Sequence, residues 1–159
     1  MKTLKCITFG ILLAVCAIPL QAHEYSGNGI HVDHPWAMPT PPVQPINSAA
    51  YLTVKNQRDV DIRLIGVTSP ISKNVSIHQT RMENGMMRME ALPDGLVIRA
   101  GKPARFKPGG LHIMLRHLDQ PLKDGDRFPL ELSFEDGTLV KVEVYVERGA
   151  SNSTDTHNH

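Results

Sequence analysis

Beyond its first 22 residues, this chain of 159 offers no segment that keeps a 3.6-residue apolar period for three turns without meeting a proline or a glycine. Proline removes a helical donor and clashes with the preceding turn, and glycine costs about 1 kcal/mol in a helix interior. With 12 of each residue, long helices are excluded. What remains is a series of short segments with a period of two, each bounded by turn residues. The clearest spans 138–147. There Val140, Val142, Val144 and Val146 alternate with Lys141, Glu143, Tyr145 and Glu147, as in a sheet with one buried and one solvated face. Further strands are expected at 30–36, 48–56, 60–68, 75–82, 86–92, 96–99, 111–115 and 129–135. In 60–68 the apolar end suggests burial on both faces. Many short strands between Gly/Pro turns imply an all-β antiparallel sandwich or barrel.

Two segments stand apart. Residues 1–22 carry Lys2 and Lys5, then an apolar run, then Leu20-Gln21-Ala22. These are the parts of a secretory signal peptide. Cleavage after Ala22 is expected, making His23 the N-terminus of an exported, soluble protein without a membrane span. Leu13-Ala14-Val15-Cys16 only loosely resembles a lipoprotein signal. Residues 148–159 hold nothing that could be buried and read as a disordered, His-bearing tail. The folded domain is therefore expected at 23–147.

Charge and cysteine narrow the chemistry. The formal net charge is +1 and the basic residues are scattered, so no nucleic-acid partner is implied. Both cysteines, Cys6 and Cys16, lie in the leader. The mature chain then has no thiolate, which excludes a zinc–cysteine site, a blue-copper centre and a cysteine nucleophile.

The stretch Leu111-His112-Ile113-Met114-Leu115 is where soft-metal chemistry first shows. As a strand it turns Leu111, Ile113 and Leu115 to one face, and His112 and Met114 to the other. Upstream, Asn84-Gly85 is a strong signal for a two-residue hairpin. With these residues as the loop, Glu83 faces Met86, Met82 faces Met87, Thr80 faces Met89, and His78 faces Ala91. His78, Met82, Met87 and Met89 then share one face, with His78 and Met89 diagonal neighbours, about 7–8 Å apart and within reach of one another. A one-residue slip would move the whole set to the opposite face.

The resulting set is His78, Met89, His112 and Met114. Two thioethers and two imidazoles form a neutral, soft donor set that suits Cu(I). Met82 and Met86 also read as gap-filling residues, and Met87 reads either way. His117 falls on the Leu111 face by alternation and reads as a strand-end or core-edge histidine, and Trp36 and Met38 as packing residues able to shield a metal. His23, His31 and His34 at one end, with His157 and His159 at the other, form a weaker set of nitrogen donors suited to auxiliary Cu(II).

Several runs together resemble the periplasmic copper chaperones of the PCu(A)C family. His78 is followed by ten residues and then Met89, and later by His112-Ile113-Met114. Around them stand Asn47-Ser48-Ala49-Ala50-Tyr51-Leu52-Thr53-Val54, Met82-Glu83-Asn84-Gly85-Met86-Met87-Arg88-Met89, Lys107-Pro108-Gly109-Gly110-Leu111 and Pro121-Leu122-Lys123-Asp124-Gly125-Asp126. The likeness extends over 32–146. The gap between Met89 and His112 is one residue longer than the family's usual spacing, and the turn at Leu92-Pro93-Asp94-Gly95 is where an extra residue is cheapest.

The resemblance implies a cupredoxin-like β-sandwich that holds Cu(I) with His78, Met89, His112 and Met114. It further implies a metallochaperone, not an enzyme, that passes copper to the dinuclear centre of a respiratory oxidase subunit, alongside a thiol-bearing Sco-type partner. A periplasmic copper buffer without a dedicated recipient, and a metal-free β-sandwich interaction module, are the alternative readings.

Overall fold

The computed structural model describes residues 24–148. The leader, His23, Cys6, Cys16 and the tail histidines His157 and His159 lie outside them, as do the expectations that rest on those residues.

The described residues form eleven strands and no helix. They are β1 (Glu24–Gly27), β2 (Ile30–Ala37), β3 (Ser48–Asn56), β4 (Ile62–Thr68), β5 (Asn74–Glu83), β6 (Met86–Ala91), β7 (Leu96–Ile98), β8 (Pro103–Phe106), β9 (Leu111–Arg116), β10 (Arg127–Phe134) and β11 (Leu139–Val146). Hydrogen bonding runs in the order β6-β5-β9-β8-β3-β2-β11-β10-β4-β7, with β1 on β2 and a second pairing between β9 and β3. The sheet doubles over on itself, so the sandwich is made from one continuous ladder. Asn56, at the end of β3, donates from its buried amide to the Ile98 carbonyl of β7 (3.1 Å) and to that of Val60 (2.8 Å), tying the two layers at one end.

The pairing is antiparallel except at two short joins. β2 runs parallel to β11 over Trp36–Tyr145 and Ala37–Val146, and β8 touches β9 in parallel at Phe106–Leu111. Between the layers lies one apolar cluster. It takes Ile30, Val32, Leu52 and Val54 from one side and Leu130, Leu132, Val142 and Val144 from the other. In β11 the four valines point inward, as their alternation requires.

Two expectations change. β4 is not buried on both faces. Its ladder with β10 pairs Ser133 with Gly66 and then Phe134 with Leu64, skipping Ile65. This bulge resets the alternation, so Leu64 and Val67 both face inward while Ile65 is 51% exposed. His117 lies past the end of β9, exposed and in left-handed backbone conformation (φ 54°), not at the edge of the core. β1 and β8 are additional strands. β8 begins at a proline that stands opposite Lys55. The first residue of a strand is one of the places where a sheet tolerates proline.

Candidate metal centre

β5, β6 and β9 build the site. Asn84 and Gly85 both have positive φ (51° and 77°), as the two-residue turn demands. The hairpin register is the expected one: Glu83 faces Met86, Met82 faces Met87, Thr80 faces Met89 and His78 faces Ala91. Arg88 pairs with Glu83 (3.0 Å) on the opposite face, where Met86 also stands, while Met82, Met87 and Met89 share the face of His78.

The sequence held no sign that β5 also pairs with β9. This ladder sets His78 directly opposite His112, and Ser76 opposite Met114. The two imidazole centroids are 5.6 Å apart with the rings tilted by 38°. Met89 is diagonal to His78 across β6, and Met114 is diagonal to it across β9. The four expected residues therefore fall on one face within one diagonal step of His78. Ile77 and Ile113, on the reverse of the same strands, are 4% and 0% exposed and anchor the site to the core.

Both histidines are buried, yet each has one ring nitrogen without a partner: Nδ1 of His78 and Nε2 of His112. The other nitrogens are held. His112 Nδ1 donates to the Gly110 carbonyl (3.0 Å). A carbonyl only accepts, so Nδ1 carries the proton and Nε2 the lone pair. His78 Nε2 lies 2.8 Å from Ser76 Oγ. Donation to that hydroxyl leaves a lone pair on Nδ1. Burial, followed by electrostatic repulsion from the neighbouring His112 and Arg116 on protonation, pushes the His78 pKa below its ordinary value. Two buried ring nitrogens without a hydrogen-bond partner are costly in a folded protein unless something else binds them. The donor chemistry fits a soft cation.

Met89 is 56% exposed on an edge strand whose every residue is exposed. Met114 is half-buried, with Ala49 of β3 as its other cross-strand neighbour. One residue pair further along that face, Tyr51 stacks with the buried Trp36 at 4.7 Å between centroids. Trp36 is thus a packing residue, whereas Met38 is exposed at 40%. Ser76 and the Gly110 carbonyl were not singled out from sequence, although Ser76 lies two residues before His78 in β5 and so on its face.

Among the described residues no three His, Cys, Asp or Glu side chains come together as a metal-binding group. His31 lies opposite Lys55 in β2, and His34 sits at the irregularity beside Trp36. Among the described residues, the soft donors that stand one diagonal step from His78 are the thioethers of Met89 and Met114.

Residues 30–146 match the LpqE-like family, described as "Putative lipoprotein LpqE-like". The uncharacterised protein RP573 of Rickettsia prowazekii (strain Madrid E) is 35% identical over 119 residues, covering 74% of this chain and 66% of its own length. "Putative lipoprotein Lxx21020" of Leifsonia xyli subsp. xyli (strain CTCB07) is 31% identical over 139 residues, covering 85% of this chain and 82% of its own.

Among solved structures, the copper-bound PCuAC domain from PmoF2 superposes with a TM-score of 0.63 at 26% identity, over 79% of this chain and 97% of that domain. The solution structure of CuI-DR1885 from Deinococcus radiodurans superposes at 0.58 and 29% identity, over 82% and 83%. The expected cupredoxin-like architecture is the one these domains share. The family's lipoprotein description points to an exported protein, and no helix among the described residues is long and apolar enough to cross a membrane. The chain belongs to the LpqE-like family and has the fold of PCuAC domains.

Proposed function

We propose that this protein is a periplasmic metallochaperone that carries Cu(I) on His78, Met89, His112 and Met114 and hands it to the dinuclear copper centre of a respiratory oxidase. One observation carries the reading. Two opposed, buried imidazoles each hold an unpartnered nitrogen, and a thioether stands diagonally on either side. The similarity to domains described as copper-bound and as the Cu(I) form supports the choice of ion.

The donors explain why the ion would be carried and not kept. Thioether and imidazole are neutral and soft, so they favour Cu(I) over Cu(II). Met89 is exposed at the sheet edge, where an incoming thiolate or imidazole from a Sco-type partner or oxidase subunit can replace it first. His78 and His112 hold the ion until that exchange is complete. No proton or electron changes hands, and the protein acts as a carrier, not as an enzyme.

The test is anaerobic Cu(I) titration against a chromophoric competitor for wild type and Met114→Ala, followed by transfer to an apo oxidase copper domain. One tight equivalent, weakened in the variant and delivered to the oxidase domain, is expected. Equal binding by the variant would sink the ligand set. Tight binding without delivery would leave a buffer.

A further inference from the structure

The hairpin carries more sulfur than the four-ligand site uses. Met82, Met86, Met87 and Met89 are 69%, 59%, 63% and 56% exposed. Four large apolar side chains in water on one arm gain nothing from burial, so packing does not account for them. The register divides them. Met82 and Met87 are direct cross-strand partners, and Met89 is one step further down on the same face. Met86 faces the other way, with the charged ladder of Arg88 and Glu83.

Direct cross-strand partners have Cβ atoms about 4.5–5.5 Å apart, and diagonal ones about 7–8 Å. Flexible methionine side chains on those positions can converge on one ion. Below them, on the same face, come Met89 and then His78 beside His112. From tip to base the donors therefore run from exposed thioethers alone to buried imidazoles.

We propose that Met82 and Met87, with Met89 as a shared third ligand, form a second and weaker site for a soft monovalent cation at the hairpin tip, through which the ion reaches the imidazoles. The ion's destination rests on the function proposed above; the tip site does not. Entry is by ligand exchange alone. The ion is captured by Met82 and Met87, Met89 bridges, and the lone pairs of His78 Nδ1 and His112 Nε2 then replace the tip thioethers. A weak site suits this step, because two neutral thioethers release the ion to stronger nitrogen donors.

The experiment uses Ag(I) as a redox-inert probe and the methyl resonances of ¹³C-labelled methionine in the full chain. The first equivalent should shift the Met89 and Met114 methyls, and a second, weaker one those of Met82 and Met87. Met82→Leu/Met87→Leu should abolish the second equivalent and slow loading of the first several-fold without changing its affinity. Met86→Leu should change neither.

The inference falls if the Met82 and Met87 methyls stay still at two equivalents, or if the double leucine variant loads like wild type. It falls as well if His112→Ala silences the tip methyls along with the rest. If the tip methyls shift while that of Met114 does not, the tip site stands and the four-ligand reading fails.

Discussion

His112 can offer a metal only one nitrogen, because the Gly110 carbonyl already holds the other. Ser76 does the same for His78. Outer hydrogen bonds of this kind orient a ligand ring, and their loss typically costs about 10–100-fold in metal affinity. Ser76→Ala should therefore weaken Cu(I) binding by about that range in a competition titration. The melting temperature should barely move, since one such hydrogen bond is worth about 1 kcal/mol. His78 also predicts a pH dependence. Its folded pKa is below the ordinary 6.5, so below pH 6.5 the unfolded chain binds the proton more readily. Stability of the metal-free protein should be complete above that value and decline as the pH falls through the window beneath it. Thermal melts from pH 7.5 to 5 should show the loss, and His78→Gln should flatten it. At this scale the alternation of 111–115 and the Asn84-Gly85 turn were enough to place His78, Met89, His112 and Met114 on the faces where the structure has them. The sequence did not expose Ser76 or Gly110, because a serine and a glycine carry no signature of the ring they will face.

At the scale of elements, two glycines with the same backbone geometry do different work. Gly85 has φ 77° at the hairpin tip, and a Cβ there would meet nothing within 4 Å. Gly85→Ala should cost only the left-handed strain, about 1–2 kcal/mol. Since β6 pairs only with β5 among the described strands, the loss should appear as faster hydrogen exchange in the arm and several-fold weaker Cu(I) binding, with the body intact. Gly95 also has φ 77°, but a Cβ there would lie 2.1 Å from the Leu64 carbonyl oxygen of β4. Gly95→Ala adds that backbone clash to the strain, and its melting temperature should fall well beyond that of Gly85→Ala. Hairpin elements were legible because a two-residue turn dictates their register locally. The bulge at Ile65 was not, because it answers to β10, a strand far along the chain.

The whole molecule puts its site on the back of its core. Ile113 lies between His112 and Met114 in sequence, faces the opposite way, and is fully buried opposite Ile77 and Ala50. Ile113→Ala should destabilise the protein by about 2–5 kcal/mol in urea unfolding. The same substitution should loosen the proposed metal site, since it removes packing that holds β5 against β9. At the far end, Arg58 binds Asp136 at 2.6 Å and the Asn28 carbonyl at 2.7 Å, joining the turn after β1 to the turn after β10. Hydrogen bonds from the Thr138 backbone and from Arg58 hold the Asp136 pKa at about 2.

By itself the sequence determined the class of fold, the hairpin register and the side of each strand on which the histidines and methionines stand. All three follow from local rules: the period of two, the demand of a tight turn for positive φ, and the exclusion of helices by proline and glycine. Only the tertiary structure decided that β5 would lie against β9, and so that His78 would face His112 and not merely share a surface with it. That pairing joins segments distant in the chain. It is selected by burial of Ile77 and Ile113 in a common core, a condition that no stretch of sequence carries on its own.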